Sequence, residues 1–252
     1  MPQFRTSPDA VDEAAGVAWV RGDEAHHMVR VSRVRPGEAV SLFDGTGRRW
    51  RGVVACAGST VRVEKLEPLP ANEPPLEIHL VQAVPKGDRW EWILEKGTEL
   101  GVSVFHPVLT RRTVVRIPPQ RAAARRSRWQ RVAEAAVRQC ERARIPRVEP
   151  LRGLAGALRN LGPAGAGEVR IVWSERSCAP PPGGVEGSPR KLVLAVGPEG
   201  GWEPEELGFL ERAGFVPASL GPRILRAETA ALVGVALVQA RWGDLVAPGP
   251  AW

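Results

Sequence analysis

Residues 192–226 read LVLAVGPEGGWEPEELGFLERAGFVPASLGPRILR, and the reading of this stretch decides the fold. The apolar run Leu192 to Val196 ends in the loop Gly197-Pro198-Glu199-Gly200-Gly201, which leads into a helix-like run. A second short run, Phe215 to Leu220, ends in Gly221-Pro222. Glycine at a strand-to-helix junction admits backbone conformations closed to other residues, so main-chain amides can approach a ligand closely. In an open α/β sheet, sites of this kind lie at the carboxyl ends of strands. Neither loop is GxGxxG or GxxxxGK[ST], which disfavours a dinucleotide site and a P-loop triphosphate site. The plainer alternative for the first loop is a tight turn in which Glu199 caps a helix. The second loop tips the balance, because two such loops from neighbouring strands can clasp one ligand.

Outward from this stretch, strand-like and helix-like runs alternate from residue 76 onward. Leu76 to Val84 reads as a strand, followed by a helix from about Asp88 to Leu100. Trp90, Ile93, Leu94, Gly97 and Leu100 line one face of that helix, and Gly101 is placed to stop it. Val104 to Leu109 and Val169 to Trp173 read as further strands. Residues 120–144 read as one long helix, with Trp129, Val132, Ala133, Ala136, Val137 and Cys140 as its apolar stripe. The Pro- and Gly-rich segment 179–189 reads as a surface loop. Pro204 opens a helix, with Glu203, Glu205 and Glu206 at the positive end of its dipole and Gly214 closing it. The last helix, about Ala227 to Arg241, is apolar nearly all round through Val238, which predicts burial both by its own domain and by a second subunit. Strands alternating with helices imply an α/β domain with a mostly parallel sheet.

Residues 1–70 follow a different rhythm. Val17 to Val20, Ala39 to Phe43, Gly52 to Ala55 and Thr60 to Leu66 are short β-prone runs, and Phe43-Asp44-Gly45-Thr46-Gly47 is a turn signal. Glu24 to Arg33 fits one short helix. Several short strands in this length predict a small β-barrel. The segment Pro68-Leu69-Pro70-Ala71-Asn72-Glu73-Pro74-Pro75 reads as a linker, which places a domain boundary there.

The chain has 252 residues and a formal charge of +7, which points to an anionic partner. All but four of its 35 basic residues are arginine, and eight arginines fall between 121 and 144 (121, 125, 126, 128, 131, 138, 142, 144). At 100° per residue on a helix, Arg131, Arg138 and Arg142 share a sector of roughly 40° opposite the apolar stripe. That face, with Arg111 and Arg112 nearby in sequence, reads as a phosphate-binding surface rather than a merely solvated one. Cys56, Cys140 and Cys178 are far apart and odd in number, against a disulfide framework and a thiolate metal site. His26 and His27 are adjacent, His79 and His106 sit in strand-like runs, and no HExxH appears, so no metal site is expected. No GxSxG or comparable nucleophile motif appears either. No apolar run is long enough to span a bilayer and no signal pattern opens the chain, which predicts a cytoplasmic protein.

The string VGPEGGW at 196–202, followed by SLGPRILRAETAA at 219–231, resembles the signature of the SPOUT methyltransferases. More narrowly, the chain resembles the ribosomal RNA small subunit methyltransferase E family. The resemblance includes KGDRWEWILEKGTELGV at 86–102, EAAVRQCER at 134–142, and HHMVRVSRVRPGE with FDG within 26–45. These strings cover nearly the whole chain in the right order.

The resemblance implies a PUA-like β-barrel RNA-binding domain over residues 1–70 and a SPOUT domain with a trefoil knot over residues 76–246. It also implies a homodimer, S-adenosylmethionine (SAM) as methyl donor, and methylation of N3 of a uridine, uracil 1498, in 16S rRNA of the small ribosomal subunit. Carried onto this chain, the SAM contacts would be Val196, Gly197, Glu199, Gly200, Gly201, Leu220, Gly221, Ile224, Leu225, Arg226, Thr229 and Ala230. The loop after Trp173 would form a third wall. Uridine N3 carries a proton at neutral pH, so a base or an anion-stabilising group is needed. Arg226 is the candidate stabiliser and Glu228 the candidate proton acceptor, the alternative being a structural Arg226–Glu228 pair. Candidate RNA contacts are Arg5, Arg30, Arg33, Arg111, Arg112, Arg131, Arg138 and Arg142. Four positions depart from the family pattern: Trp202 for Phe, Ser32 for an apolar residue, Glu141 where Gly is frequent, and Gln3 where Arg is frequent. Two other readings stay open: a SPOUT enzyme acting on another atom, such as a ribose 2′-hydroxyl, and a non-catalytic ribosome-assembly RNA-binding protein.

Overall fold

The computed structural model describes residues 1–175, 177, 179 and 189–245, so Cys178 and most of the loop expected at 179–189 lie outside the described residues. The chain divides into two compact units, one of Met1–Glu73 with Glu134–Ile145, the other of Pro74–Ala133 with the residues from Pro146 onward.

The first unit is built on six strands: β1 (Gln3–Arg5), β2 (Val11–Asp12), β3 (Val17–Arg21), β4 (Ala39–Phe43), β5 (Arg49–Cys56) and β6 (Thr60–Leu69). Their order is β1-β4-β5-β6-β3-β2, antiparallel except for the parallel β1–β4 pair. The two end strands do not pair with each other, so the expected barrel is a curled half-barrel. Alternating residues of these strands, among them Val40, Leu42, Trp50, Val54, Val61 and Val63, form its core. The helix expected at 24–33 is a short α1 (Gly22–His26) that widens into a π-turn, His27–Val31, whose Met28 is fully buried in that core. The turn expected at 43–47 is held by the Asp44 carboxylate, which accepts from the amides of Thr46 (2.8 Å) and Arg48 (3.2 Å).

In the second unit the sheet strands are β7 (Glu77–Ala83), β8 (Val102–Leu109), β9 (Arg147–Val148), β10 (Arg152–Gly153), β11 (Glu168–Trp173), β12 (Lys191–Val196) and β13 (Val216–Ala218). Every pairing is parallel, in the order β10-β8-β7-β12-β11-β13, with β9 also on β8. The helices are α2 (Arg89–Glu99), α3 (Pro119–Gln139), α4 (Leu154–Leu161), α5 (Pro204–Arg212) and α6 (Ala227–Trp242). Strand side chains alternate between two cores. Ile78, Leu80, Phe105, Ile171, Leu192 and Leu194 pack with α2, α6 and the first part of α3, through Trp90, Ile93, Trp129, Val235 and Val238. Val81, Val108, Val172, Val193 and Ala195 face the other way, onto Leu154 and Leu158 of α4, Leu210 of α5 and Phe215. α5 opens as expected, with Pro204 in its first turn and a reciprocal capping box between Glu203 and Glu206. α4 had no counterpart in the sequence reading.

The long helix α3 ends at Gln139, five residues earlier than the spacing predicts, and the division between units runs through it. Glu141 takes φ 58, a left-handed conformation that glycine adopts without strain and glutamate does not. The turn is fixed by Glu73, whose carboxylate accepts from the amides of Ala143 (2.9 Å) and Arg144 (2.8 Å) and pairs with Arg142 at 2.8 Å. Gln3 completes this corner, donating its side-chain amide to the Arg142 carbonyl at 2.7 Å.

Candidate active site

The parallel register sets Val196, Trp173 and Ala218 side by side, so the carboxyl ends of β12, β11 and β13 form one row. The loops leaving that row enclose a cavity of about 360 Å³, within the range of small-molecule sites. Its walls come from Trp173–Glu175, from Val196–Trp202, and from Ser219–Gly221 continuing through Arg223–Ala227 to Ala230. The two glycine-bearing loops thus meet at one cavity, and the chain after β11 supplies the third wall.

Close packing explains the residue choice in the first loop. A Cβ on Gly197 would stand 3.2 Å from the Trp202 ring, which folds back under the loop and donates its indole N–H to the Trp173 carbonyl at 3.2 Å. The Phe more usual at this position could not make that bond. A Cβ on Gly200 would meet the Arg112 side chain at 3.2 Å. Gly201 has φ +71, and a Cβ there would lie 2.5 Å from Oε1 of Glu175, on the opposite wall. The second loop is closed by Ser219, whose hydroxyl oxygen accepts from the Gly221 amide at 3.1 Å.

Of the residues expected to touch the donor, Val196, Gly197, Glu199, Gly200, Gly201, Leu220, Gly221, Ile224, Leu225, Arg226 and Ala230 line the cavity; Thr229 does not and is exposed. Ser174 and Glu175 form the third wall expected after Trp173, and Trp173, Pro198, Trp202, Ser219, Arg223 and Ala227 join the lining without having been named as donor contacts. Glu199 does not cap α5, a role taken by Glu203. Its carboxylate instead accepts from the Lys86 amide (3.1 Å) and the Arg89 guanidinium (3.1 Å), bracing the loop against the start of α2.

Arg226 is exposed on the cavity wall as the residue preceding the first turn of α6. Glu228 is not on the wall. Its Oε1 lies 3.4 Å from Nε of Arg89, so Arg89 bridges Glu199 and Glu228, and its Oε2 is buried with no hydrogen-bond partner among the described residues. The pair considered from sequence, Arg226 with Glu228, is replaced by Arg89 with Glu228.

The arginines expected to meet RNA divide sharply. Arg30 and Arg33 are exposed in the first unit, Arg33 at φ 55 just past the π-turn. Arg131 is exposed on α3 and, among the described residues, reaches only the Ser127 carbonyl, at 3.5 Å. Arg5 pairs with Glu134 at 3.3 Å and Arg138 with Glu24 at 2.9 Å. Arg142 is not on the helical face where the spacing put it: it lies beyond the helix, 3% exposed, on Glu73. Arg111 pairs with Glu205 at 2.6 Å, and Arg112 pairs with Glu203 at 2.8 Å while donating to the Gly200 carbonyl at 2.6 Å. Arg112 is therefore a brace of the glycine loop. Charge counting along the sequence could not see these partners.

His79 and His106 form a buried pair on adjacent strands, with Nε2 of His106 3.1 Å from Nδ1 of His79, and Glu77 2.7 Å from the far nitrogen of His79. Burial, ahead of the neighbouring charges, holds both imidazoles below their ordinary pKa. Among the described residues no group of three His, Cys, Asp or Glu is placed to hold a metal ion, and no helix is long and apolar enough to cross a membrane.

Residues 72–239 match the model of an RNA methyltransferase domain, and residues 20–59 that of an RNA methyltransferase PUA domain. Ribosomal RNA small subunit methyltransferase E of Mycobacterium bovis is 36% identical over 93% of this chain and 91% of its own length. The chain belongs to the ribosomal RNA small subunit methyltransferase E family. The Bacillus subtilis member is 30% identical over 90% of this chain and 91% of its own length. The crystal structure of the Neisseria gonorrhoeae family member, bound to S-adenosyl methionine, superposes with a TM-score of 0.85 at 33% identity, covering 98% of this chain and all of that one.

Proposed function

We propose that this chain is a SAM-dependent methyltransferase that methylates N3 of a uridine, uracil 1498, in 16S rRNA of the small ribosomal subunit. The observation that carries this reading is the cavity at the aligned ends of β12, β11 and β13, in a chain of this family. The residues fit the donor. Gly201 keeps a side chain out of the space toward Glu175, main-chain groups of both loops supply polar contacts, and Leu220, Leu225 and Ala230 give an apolar wall. When bound there, SAM supplies a methyl group on a sulfonium sulfur.

The chain's own residues have two tasks. They hold the base so that N3 faces the methyl group in line, an ordering worth several kcal/mol, about 7–11 in the best intramolecular cases. They also stabilise the base as it loses the N3 proton. Arg226, on the cavity wall, provides positive charge for the uridine anion. Glu228 is the carboxylate proposed to take the proton: Arg89 holds one of its oxygens, and the other has no donor among the described residues. The target base must leave any stacked arrangement to reach this point.

The exposed residues Arg30 and Arg33 in the first unit and Arg131 on α3 are proposed to contact the RNA backbone. A second copy of the chain is proposed to cover α6, whose apolar all-round sequence leaves Val233 and Leu237 exposed one turn apart. The protein is proposed to act in the cytoplasm, with the ribosomal subunit. The test is incubation of the pure protein and methyl-labelled SAM with small subunits from a strain lacking this activity, followed by nucleoside analysis. Label in 3-methyluridine is the expected result. Label in a 2′-O-methylated nucleoside would move the assignment to another SPOUT activity, and no label would leave an RNA-binding assembly protein.

A further inference from the structure

A second cavity, of about 540 Å³, lies within the second unit between the chain leaving β7, the start of α2 and the first turns of α3. Arg121, Arg125 and Arg128 line it from α3. At i, i+4 and i+7 they share a helical sector of roughly 60°. Arg121 and Arg125 are exposed and make no ion pair among the described residues, unlike most arginines discussed above. Arg128 is bound to Glu91 through two contacts, 2.7 and 2.9 Å, which neutralises that carboxylate and fixes the wall. Asp88 is the other acidic wall residue, and its side chain makes no capping bond to α2. The first amides of α2 therefore have no side-chain acceptor among the described residues, and the positive end of the helix dipole lies at this cavity. Independently, the wall residue Trp90 is 2% exposed, and its indole N–H, a donor only, has no acceptor among the described residues. Two unpaired guanidiniums, a helix N-terminus and an orphaned buried N–H donor all call for the same ligand chemistry, an anion rich in acceptor oxygens.

We propose that this cavity is a subsite for a backbone phosphate and its flanking nucleoside in the substrate RNA. The inference rests on the methyltransferase reading above. The segment that lines the cavity, through Gly87 and Asp88, continues directly into Arg89, which holds Glu199 on the donor-cavity wall. A strand seated here is thus carried by the element that also braces the methyl-donor loop. The volume exceeds what one phosphate group fills and admits a nucleotide unit.

The test compares the full-length wild type with the double variant Arg121→Gln, Arg125→Gln, and with a charge-matched control, Arg159→Gln, Arg190→Gln. Binding of 16S rRNA is measured by filter retention over a salt series, and methyl transfer from labelled SAM to small subunits is followed at varied subunit concentration. The first double variant is expected to lower the slope of log K against log salt by about one to two, at roughly 0.9 per lost phosphate contact. It should raise KM for the subunit at least ten-fold, with kcat within a factor of three and SAM affinity unchanged. The control should change none of these by as much. Equal slopes and equal KM for the two double variants would overturn the proposal. In a further arm the Trp90 indole N–H resonance, assigned by its loss in Trp90→Phe, should shift with an RNA fragment. A shift with inorganic phosphate but none with RNA would mean a free-anion site and would also overturn it. RNA binding needs no turnover, so absence of 3-methyluridine from the wild type would refute the activity while the salt slopes still judged the subsite.

Discussion

The glycine-loop cavity and the basic stretch 131–144 are both conspicuous in the sequence, yet they behave oppositely in the structure. Eleven of the twelve residues expected at the cavity line it. Of the three arginines expected on one helical face, one is exposed, one is paired with Glu24 and one is buried on Glu73. The difference is one of physical kind. The loops owe their place to backbone geometry: strand ends in register, and glycines where side chains would collide with Trp202, Arg112 or Glu175. An arginine's role depends on which carboxylate it meets, and Glu73 is about seventy residues away from Arg142 along the chain. Local pattern reports the first and is silent on the second.

This contrast can be broken most severely at Gly201. Gly201→Val forces a β-branched residue into φ +71 against Glu175. SAM affinity, measured by equilibrium dialysis, should fall at least 100-fold while circular dichroism remains that of the folded chain. Next in size, Arg226→Gln should lower kcat for methyl transfer about 100-fold with SAM affinity within a factor of three, in line with loss of one charge-stabilising group. Equal losses in both quantities would make Arg226 a binding residue.

Arg142→Gln probes the other region. Removing one partner of a buried ion pair costs about 3–5 kcal/mol, so the chain should unfold at distinctly lower denaturant while the folded protein binds SAM as before. Wild-type stability would restore Arg142 to the list of surface arginines. Arg112→Gln sharpens the comparison from the cavity side, because it removes the Glu203 pair and the bond to the Gly200 carbonyl. It should weaken SAM binding about ten-fold, with little change in the salt dependence of RNA binding.

The smallest effect expected is a pH dependence of stability. Burial lowers the pKa of His79 and His106 in the folded chain, so below about pH 6.5 the unfolded chain binds more protons than the folded one. Their contribution is complete above that pH and is lost as pH falls toward the lowered values. The melting temperature of His106→Gln should therefore drop less between pH 7.5 and 5.5 than that of the wild type, and parallel drops would dissociate the pair from acid sensitivity.

The sheet and most helices were legible because apolar runs and their stops are local. Leu192–Val196, Pro204 at a helix start and the stripe from Trp90 to Gly97 stand where they were read. The end of α3 was not, since Glu141 adopts φ 58 only because Glu73 claims the amides that follow. The bracing roles of Arg89 and Arg112 were not legible for the same reason: both act by reaching carboxylates at Glu199, Glu228 or Glu203, far along the chain. Ser174 and Glu175 follow a strand without a motif, and only the register of β11 with β12 and β13 brings them to the cavity.

The central claim is that the cavity at the ends of β12, β11 and β13 holds the methyl donor. A crystal structure of the protein with saturating SAM tests it most directly. The account predicts ligand density between the Gly197–Gly201 and Ser219–Gly221 loops, in contact with Leu225 and Ala230. Density elsewhere, or none in this cavity, would contradict it.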